Sequence, residues 1–225
     1  MGTVTDSPQD PDPEGHFQFR VIVLGDTAVG KSSLLRCFTD GPGGAATGGA
    51  ATPSPTVGVE FCSRTILMPP IGKAKLQLWD VAGQERFRSF TRSFYRSAAG
   101  VLLMFDLTSR ASFEHVPEWY HEAAGDQLPA FVLVGHKCDL VAERAVSAEE
   151  AGRLATTLGM AFVETSALSN LNVELAFQTL AGGIQQALGQ GILAPHQGCD
   201  GIRLIPSQSR HQPLAGREPQ QRCQC

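Results

Sequence analysis

The sequence predicts an α/β fold, a six-stranded, mostly parallel sheet with helices on both faces. Three observations predict it. Apolar runs of strand length alternate with helical patterns through the middle of the chain. The runs are near-continuously apolar, as in "AAGVLLMF" and "AFVLVG", the mark of strands covered on both faces. None approaches the ~20 residues needed to cross a bilayer.

The elements follow in order. Phe17 to Leu24 reads as the first strand and Lys31 to Thr39 as the first helix. Strands are expected at Val57 to Met68, Lys73 to Trp79 and Gly100 to Asp106, then a helix near Phe113 to Ala123. Pro117 would cost ~3 kcal/mol inside that helix, so the segment begins late or kinks there. A strand at Phe131 to Gly135 precedes a helix from Ser147 to Leu158, where Ser147 and Glu150 have the spacing of a reciprocal capping box. The last pair is a strand at Met160 to Glu164 and a helix at Val173 to Leu188. In that helix Val173, Ala176, Phe177, Leu180, Ile184 and Leu188 form one apolar stripe.

The ends differ from this core. Residues 1–16, rich in Pro and Asp, read as disordered, 17–189 as one domain, and 190–225 as a flexible tail. A net charge of -4 argues against nucleic acid as a partner. No signal peptide is expected at the N-terminus, and Asp6 stands where a myristoylation signal wants Ser or Thr. The 6 cysteines are scattered and read as free thiols.

"GDTAVGKSS", Gly25 to Ser33, satisfies G-x-x-x-x-G-K-S/T between a strand and a helix. Glycines let successive backbone N–H groups of Gly25, Asp26, Thr27, Ala28, Val29 and Gly30 converge on an anion, and the following helix adds its positive end. Lys31 would reach β- and γ-phosphates, and Ser32 would coordinate Mg2+. A Gly-rich turn with an exposed lysine is the structural alternative. In "LQLWDVAGQERF", Asp80 ends a strand where a Mg2+-holding carboxylate must lie, Gly83 can offer its N–H to a γ-phosphate, and Gln84 can orient a water. Thr56 offers a second hydroxyl for the metal. Asp139 of "VGHKCDL" can accept from guanine N1–H and N2–H2, which adenine does not offer. The stem of Lys137 can cover the ring, and the Ala167 N–H of "ETSAL" can donate to guanine O6.

These motifs resemble, in order and spacing, those of Ras-like small GTPases of the P-loop NTPase class, over roughly Phe17 to Leu188. "TVGVEF", "LQLWD", "AGQERFRS" and "RSFYR" resemble the Rab branch. The resemblance implies a GTP/GDP switch with Mg2+, serving vesicle trafficking, in which the Thr56 and Gln84 loops are ordered by the γ-phosphate. It also assigns His136 and the Ser166–Ala167–Leu168 loop to the nucleotide. Phe61, Trp79 and Phe94 resemble the aromatic triad that presents effectors, although Trp79 reads equally well as a core residue.

No internal arginine finger is assignable, and one supplied in trans is worth 10³ to 10⁵ in rate, so slow hydrolysis and a GTPase-activating protein are implied. The family further implies a guanine nucleotide exchange factor, effectors, a GDP-dissociation inhibitor and a prenylation escort protein. The ending "QRCQC" is no C-a-a-X box, since Arg222 stands fourth from the end. It resembles the C-x-C terminus that takes two geranylgeranyl groups, here on Cys223 and Cys225, for attachment to the cytoplasmic face of intracellular membranes beside a cytosolic pool.

Several positions depart from the family. His136 stands for Asn, Leu168 for Lys, Val81 for Thr and Ala28 for Gly, and Asp40 to Pro55 lengthens the first switch with Gly and Ala. Fast nucleotide exchange is the expected consequence, because a long flexible loop costs more entropy to order. Two other classes fit parts of the sequence. An ATP-using phosphate-loop enzyme is disfavoured by Asp139, and a degraded switch with weak or no hydrolysis draws on His136 and Leu168.

Overall fold

The structure, a computed structural model, describes residues 17–41, 59–70, 72–81, 98–124 and 129–191. All of these fall within Met1–Pro195. Thr56, Gly83, Gln84, Phe94, Cys223, Cys225, the ends at 1–16 and 192–225, and the first-switch insertion at 42–55 lie outside the described residues.

The strands are β1 (Phe17–Leu24), β2 (Val59–Met68), β3 (Gly72–Val81), β4 (Gly100–Asp106), β5 (Ala130–His136) and β6 (Ala161–Thr165). They form one sheet in the order β2-β3-β1-β4-β5-β6. Only β2 runs antiparallel to its neighbour β3; the remaining pairs are parallel. Strand β1 therefore sits centrally, and the chain leaves it first to one side and then to the other. That reversal leaves a crevice at the carboxyl end of β1, the general ligand position of open α/β sheets.

The helices are α1 (Lys31–Asp40), α2 (Arg110–Glu114), α3 (Val116–Ala123), α4 (Ala148–Thr157) and α5 (Val173–Gly189), with a 3-10 turn at Val141–Glu143. Alternation along the buried strands splits the core in two. Val21, Val23, Leu102, Met104, Val132 and Val134 pack with Leu34 and Phe38 of α1 and Phe177 and Ile184 of α5. Ile22, Leu24, Leu103, Phe105 and Leu133 face the opposite way, onto Phe113, Val116, Trp119, Ala151 and Ala155. A period of two on strands apolar throughout is what a sheet covered on both faces requires.

One local expectation is met in detail and one is corrected. The helix expected to begin late or kink at Pro117 begins late, as α3 at Val116, and a separate short helix, α2, precedes it across His115. A continuous helix would require an N–H from residue 117 to the Phe113 carbonyl, and Pro117 has none; instead the proline occupies the first turn of α3, where a missing donor costs nothing. The capping box at α4 is only half formed. Ser147 Oγ accepts from the Glu150 N–H at 3.2 Å, but the Glu150 carboxylate turns to Arg110 Nη1 at 2.7 Å. A charge-assisted bond to a guanidinium outbids the neutral backbone donor.

Candidate functional site

The phosphate loop fills the crevice at the end of β1. Gly25 has φ +144°, and a Cβ built there would lie 2.1 Å from the Met104 carbonyl oxygen of β4. Ala28 (φ +63°) and Gly30 (φ +102°) complete the left-handed coil into α1. Gly30 caps α1 without a side-chain hydrogen bond, and the first turn holds no acidic residue. The helix thus begins at the loop with its positive end, and with no side-chain cap among the described residues. Val29 is buried while Thr27, Ala28 and Ser33 are exposed.

Lys31, 6 % exposed, curls back so that Nζ donates to the carbonyls of Gly25 (2.9 Å) and Asp26 (2.8 Å). Burial lowers its pKa to about 8, against the opposing pull of Asp80 and Asp26. A phosphate beside the amine would restore the charged form. Nucleotide binding at pH 8 is therefore expected to take up about half a proton per site, read by calorimetry in two buffers of different ionisation enthalpy. Uptake that persists unchanged in Lys31→Met would assign the proton to another group.

Asp26 points away from the loop's hollow. Its Oδ1 accepts from Trp119 Nε1 at 2.8 Å and its Oδ2 lies 2.7 Å from His115 Nδ1, tying the phosphate loop to the α2–α3 corner.

Ser32 Oγ donates to Asp80 Oδ2 across α1 and β3. Asp80 is 2 % exposed and stands opposite Val23 of β1. Burial raises its pKa, with Ser32 and Lys31 pulling the other way. Its Oδ1 is buried and, among the described residues, meets no hydrogen-bond donor. A buried carboxylate with one oxygen unsatisfied beside a hydroxyl suits a hard divalent cation, so Ser32 and Asp80 fit Mg2+.

On the other flank, β5 ends at His136, whose ring lies on the phosphate loop. A Cβ added to Gly30 would sit 2.4 Å from His136 Cδ2. Nδ1 is 2.8 Å from Thr165 Oγ1, and burial, with Lys137 adding, lowers the pKa to about 4. The imidazole is therefore neutral and held from two strands. The unfolded chain protonates near 6.5, so the folded state keeps its full stability above that pH and loses it as pH falls toward 4. His136→Asn is expected to flatten that loss, up to about 3 kcal/mol, in urea titrations at pH 7 and 4.5.

Lys137 is left-handed at φ +63°. Its Nζ donates to the Ala28 carbonyl (3.0 Å) and pairs with Asp106 Oδ2 (2.6 Å). Burial alone would raise the Asp106 carboxyl, but bonds from Lys137 and Thr108 outweigh it and hold it below the ordinary value. Cys138 N–H bonds the Thr165 carbonyl, fixing this loop to β6, and Asp139 stands exposed beyond it. The Ser166 N–H bonds the Leu171 carbonyl and Ser166 Oγ accepts from Ser169 N–H, closing a short loop with Ala167 half-buried and Leu168 85 % exposed at its tip.

Phe61 and Trp79 face each other across β2 and β3 as an edge-on pair at 5.2 Å, with Arg20 lying 5.0 Å from the Trp79 ring centre. Phe61 is 55 % exposed, while Trp79 is half-buried against the core. Sequence reasoning missed Asp106 and the partners of Asp26. A carboxylate ending the otherwise apolar strand "GVLLMFD" on the ligand edge was the available signal for the first.

A doubly covered sheet with a lysine-bearing phosphate loop at its topological switch point defines a nucleotide-binding protein of the P-loop type. The chain matches the Ras family over residues 20–186. It is 50 % identical to the Ras-related protein Rab-42 of Mus musculus over 212 residues, 93 % of this chain and 97 % of the relative. The Ras-related protein Rab-39A of Mus musculus is 46 % identical over 218 residues, again 93 % and 97 %, and rab-39 of Caenorhabditis elegans is 46 % identical over 208, 89 % and 88 %. The chain belongs to the Ras family, on its Rab branch. It is thus a small GTPase, a GTP-hydrolysing switch of vesicle trafficking that works through regulators and effectors. Among the described residues no helix is long and apolar enough to cross a membrane.

Proposed function

We propose that residues 17–189 form the switch domain and that its nucleotide is held as follows. Residues 25–30 wrap the phosphates, Lys31 neutralises them, and Ser32, Asp80 and Thr56 hold Mg2+, which supplies positive charge against the β- and γ-oxygens. Gly83 and Gln84 serve the γ-phosphate and the attacking water. Lys137, Asp139, Ala167 and, with altered chemistry, His136 and Leu168 surround guanine. Phe61, Trp79 and Phe94 face effectors. The tail from 190 carries geranylgeranyl groups on Cys223 and Cys225, which hold the chain on the cytoplasmic face of an intracellular membrane. The specific partners are an exchange factor, an activating protein, a GDP-dissociation inhibitor and a prenylation escort.

One observation carries this reading: Lys31, the Ser32–Asp80 pair and Lys137 converge on a single loop from three strand ends. Competition of labelled GTP by GTP, GDP and ATP, with and without Mg2+, tests it, followed by single-turnover phosphate release with Gln84→Leu as control. Guanine selectivity dependent on Mg2+, with release slowed in the variant, is the expected result. Equal competition by ATP would overturn the base assignment, and binding without phosphate release would favour a degraded switch.

A further inference from the structure

Asp106 divides its two carboxylate oxygens between two tasks. Oδ1 accepts from the Thr108 N–H at 2.8 Å and the Thr108 hydroxyl at 2.7 Å, closing the turn after β4. Oδ2 is given to the Lys137 ammonium at 2.6 Å. The Asp106 side chain is 9 % exposed, so this pair is shielded from water on the carboxylate's side. The strand end is itself fixed: Asp106 N–H donates to Ser112 Oγ at 3.0 Å, and Ser112 Oγ donates to the Ser109 carbonyl at 2.8 Å. Lys137 meanwhile donates to the Ala28 carbonyl at 3.0 Å, and both Ala28 and Lys137 carry the left-handed backbone that side chains avoid. Two strained residues on different loops are thus held to one another through an ammonium whose second anchor is the tip of β4.

We infer that Asp106 is a positioning residue for guanine nucleotide: its Oδ2 clamps Lys137 between the base loop and the phosphate loop and thereby slows nucleotide release. The inference rests on the nucleotide-binding reading above. A charged, hydrogen-bonded and poorly solvated contact is stronger than an exposed one, so its loss is felt at the loop it holds. Asparagine is the informative replacement. Its carbonyl oxygen still serves the Thr108 donors, which turns the NH2 group toward the lysine, donor against donor.

The test is GDP release from Mg2+-loaded full-length protein, followed with a fluorescent GDP, in native chain, Asp106→Asn, Lys137→Met, the double variant and Thr108→Val. Asp106→Asn is expected to release GDP about 10-fold faster, and the double variant no faster than the faster single. Thr108→Val, which touches only Oδ1, is expected to lower Tm while leaving the release rate within about 2-fold of native. Native release from Asp106→Asn, a double variant in which the two effects multiply, or an equal acceleration by Thr108→Val would each overturn the clamp. A native chain that holds no GDP overturns the nucleotide reading and the clamp together; the other outcomes strike the clamp alone. Should Asp106→Asn not fold, the Lys137 ammonium resonance of native, ¹⁵N-lysine-labelled, GDP-bound protein decides. Slow solvent exchange supports the clamp and fast exchange overturns it.

Discussion

Gly25→Ala is expected to abolish GDP retention and to destabilise the fold by about 3 kcal/mol or more. The added methyl would sit 2.1 Å from the Met104 carbonyl oxygen, well inside contact distance, at a φ of +144° that alanine resists. Neither party can retreat. Met104 lies within β4, in register with Val134 of β5, and the neighbouring Leu103 pairs with Leu24 of β1, so the carbonyl is fixed by the ladders on both sides. Relief has to come from the loop, which then loses the coil that aims its donors. Thermal unfolding and GDP retention after gel filtration measure both halves of the effect. Gly182→Ala is the matched control: it lies in α5 with nothing within 4 Å of the new methyl, and a gain of about 0.5–1 kcal/mol is expected there. Retention of GDP by Gly25→Ala would mean that the loop does not hold the diphosphate in this conformation.

Asp139→Ala is expected to cut guanine nucleotide affinity by about 10² to 10⁴ while scarcely touching ATP. Two charge-assisted hydrogen bonds to N1–H and N2–H2, at about 1.5–3 kcal/mol each, set that range. Asp139 is exposed, so the fold should lose no more than about 0.5 kcal/mol. Discrimination between GTP and ATP would therefore collapse in a protein of unchanged Tm. Competition titrations of the purified variant give both numbers, and a preserved preference for GTP would move the base-reading role elsewhere.

The parts legible in the sequence were those whose causes are local. The apolar run of β1, the glycine spacing after it and the stripe of α5 lie within a few residues of one another, and each element formed where its pattern stood. Pro117 announced a break, although only the structure showed that two helices, not a kinked one, resolve it. The failures were choices among distant partners. Nothing near Glu150 says that Arg110, 40 residues earlier, will take its carboxylate from the helix cap. Likewise Asp26 was read through its backbone, and the destination of its side chain depends on how α3 packs on the sheet. His136 could be read as a departure, but its seat against Gly30 follows from the parallel register of β5.

That tie from Asp26 to His115, 89 residues further along the chain, carries an evolutionary consequence. The corner between the two short helices cannot drift as freely as its separation in sequence from the phosphate loop would suggest. Changes at His115 or Trp119 act on the phosphate loop through Asp26, so the dwell time of the on and off states is partly written in a segment some ninety residues further along the chain.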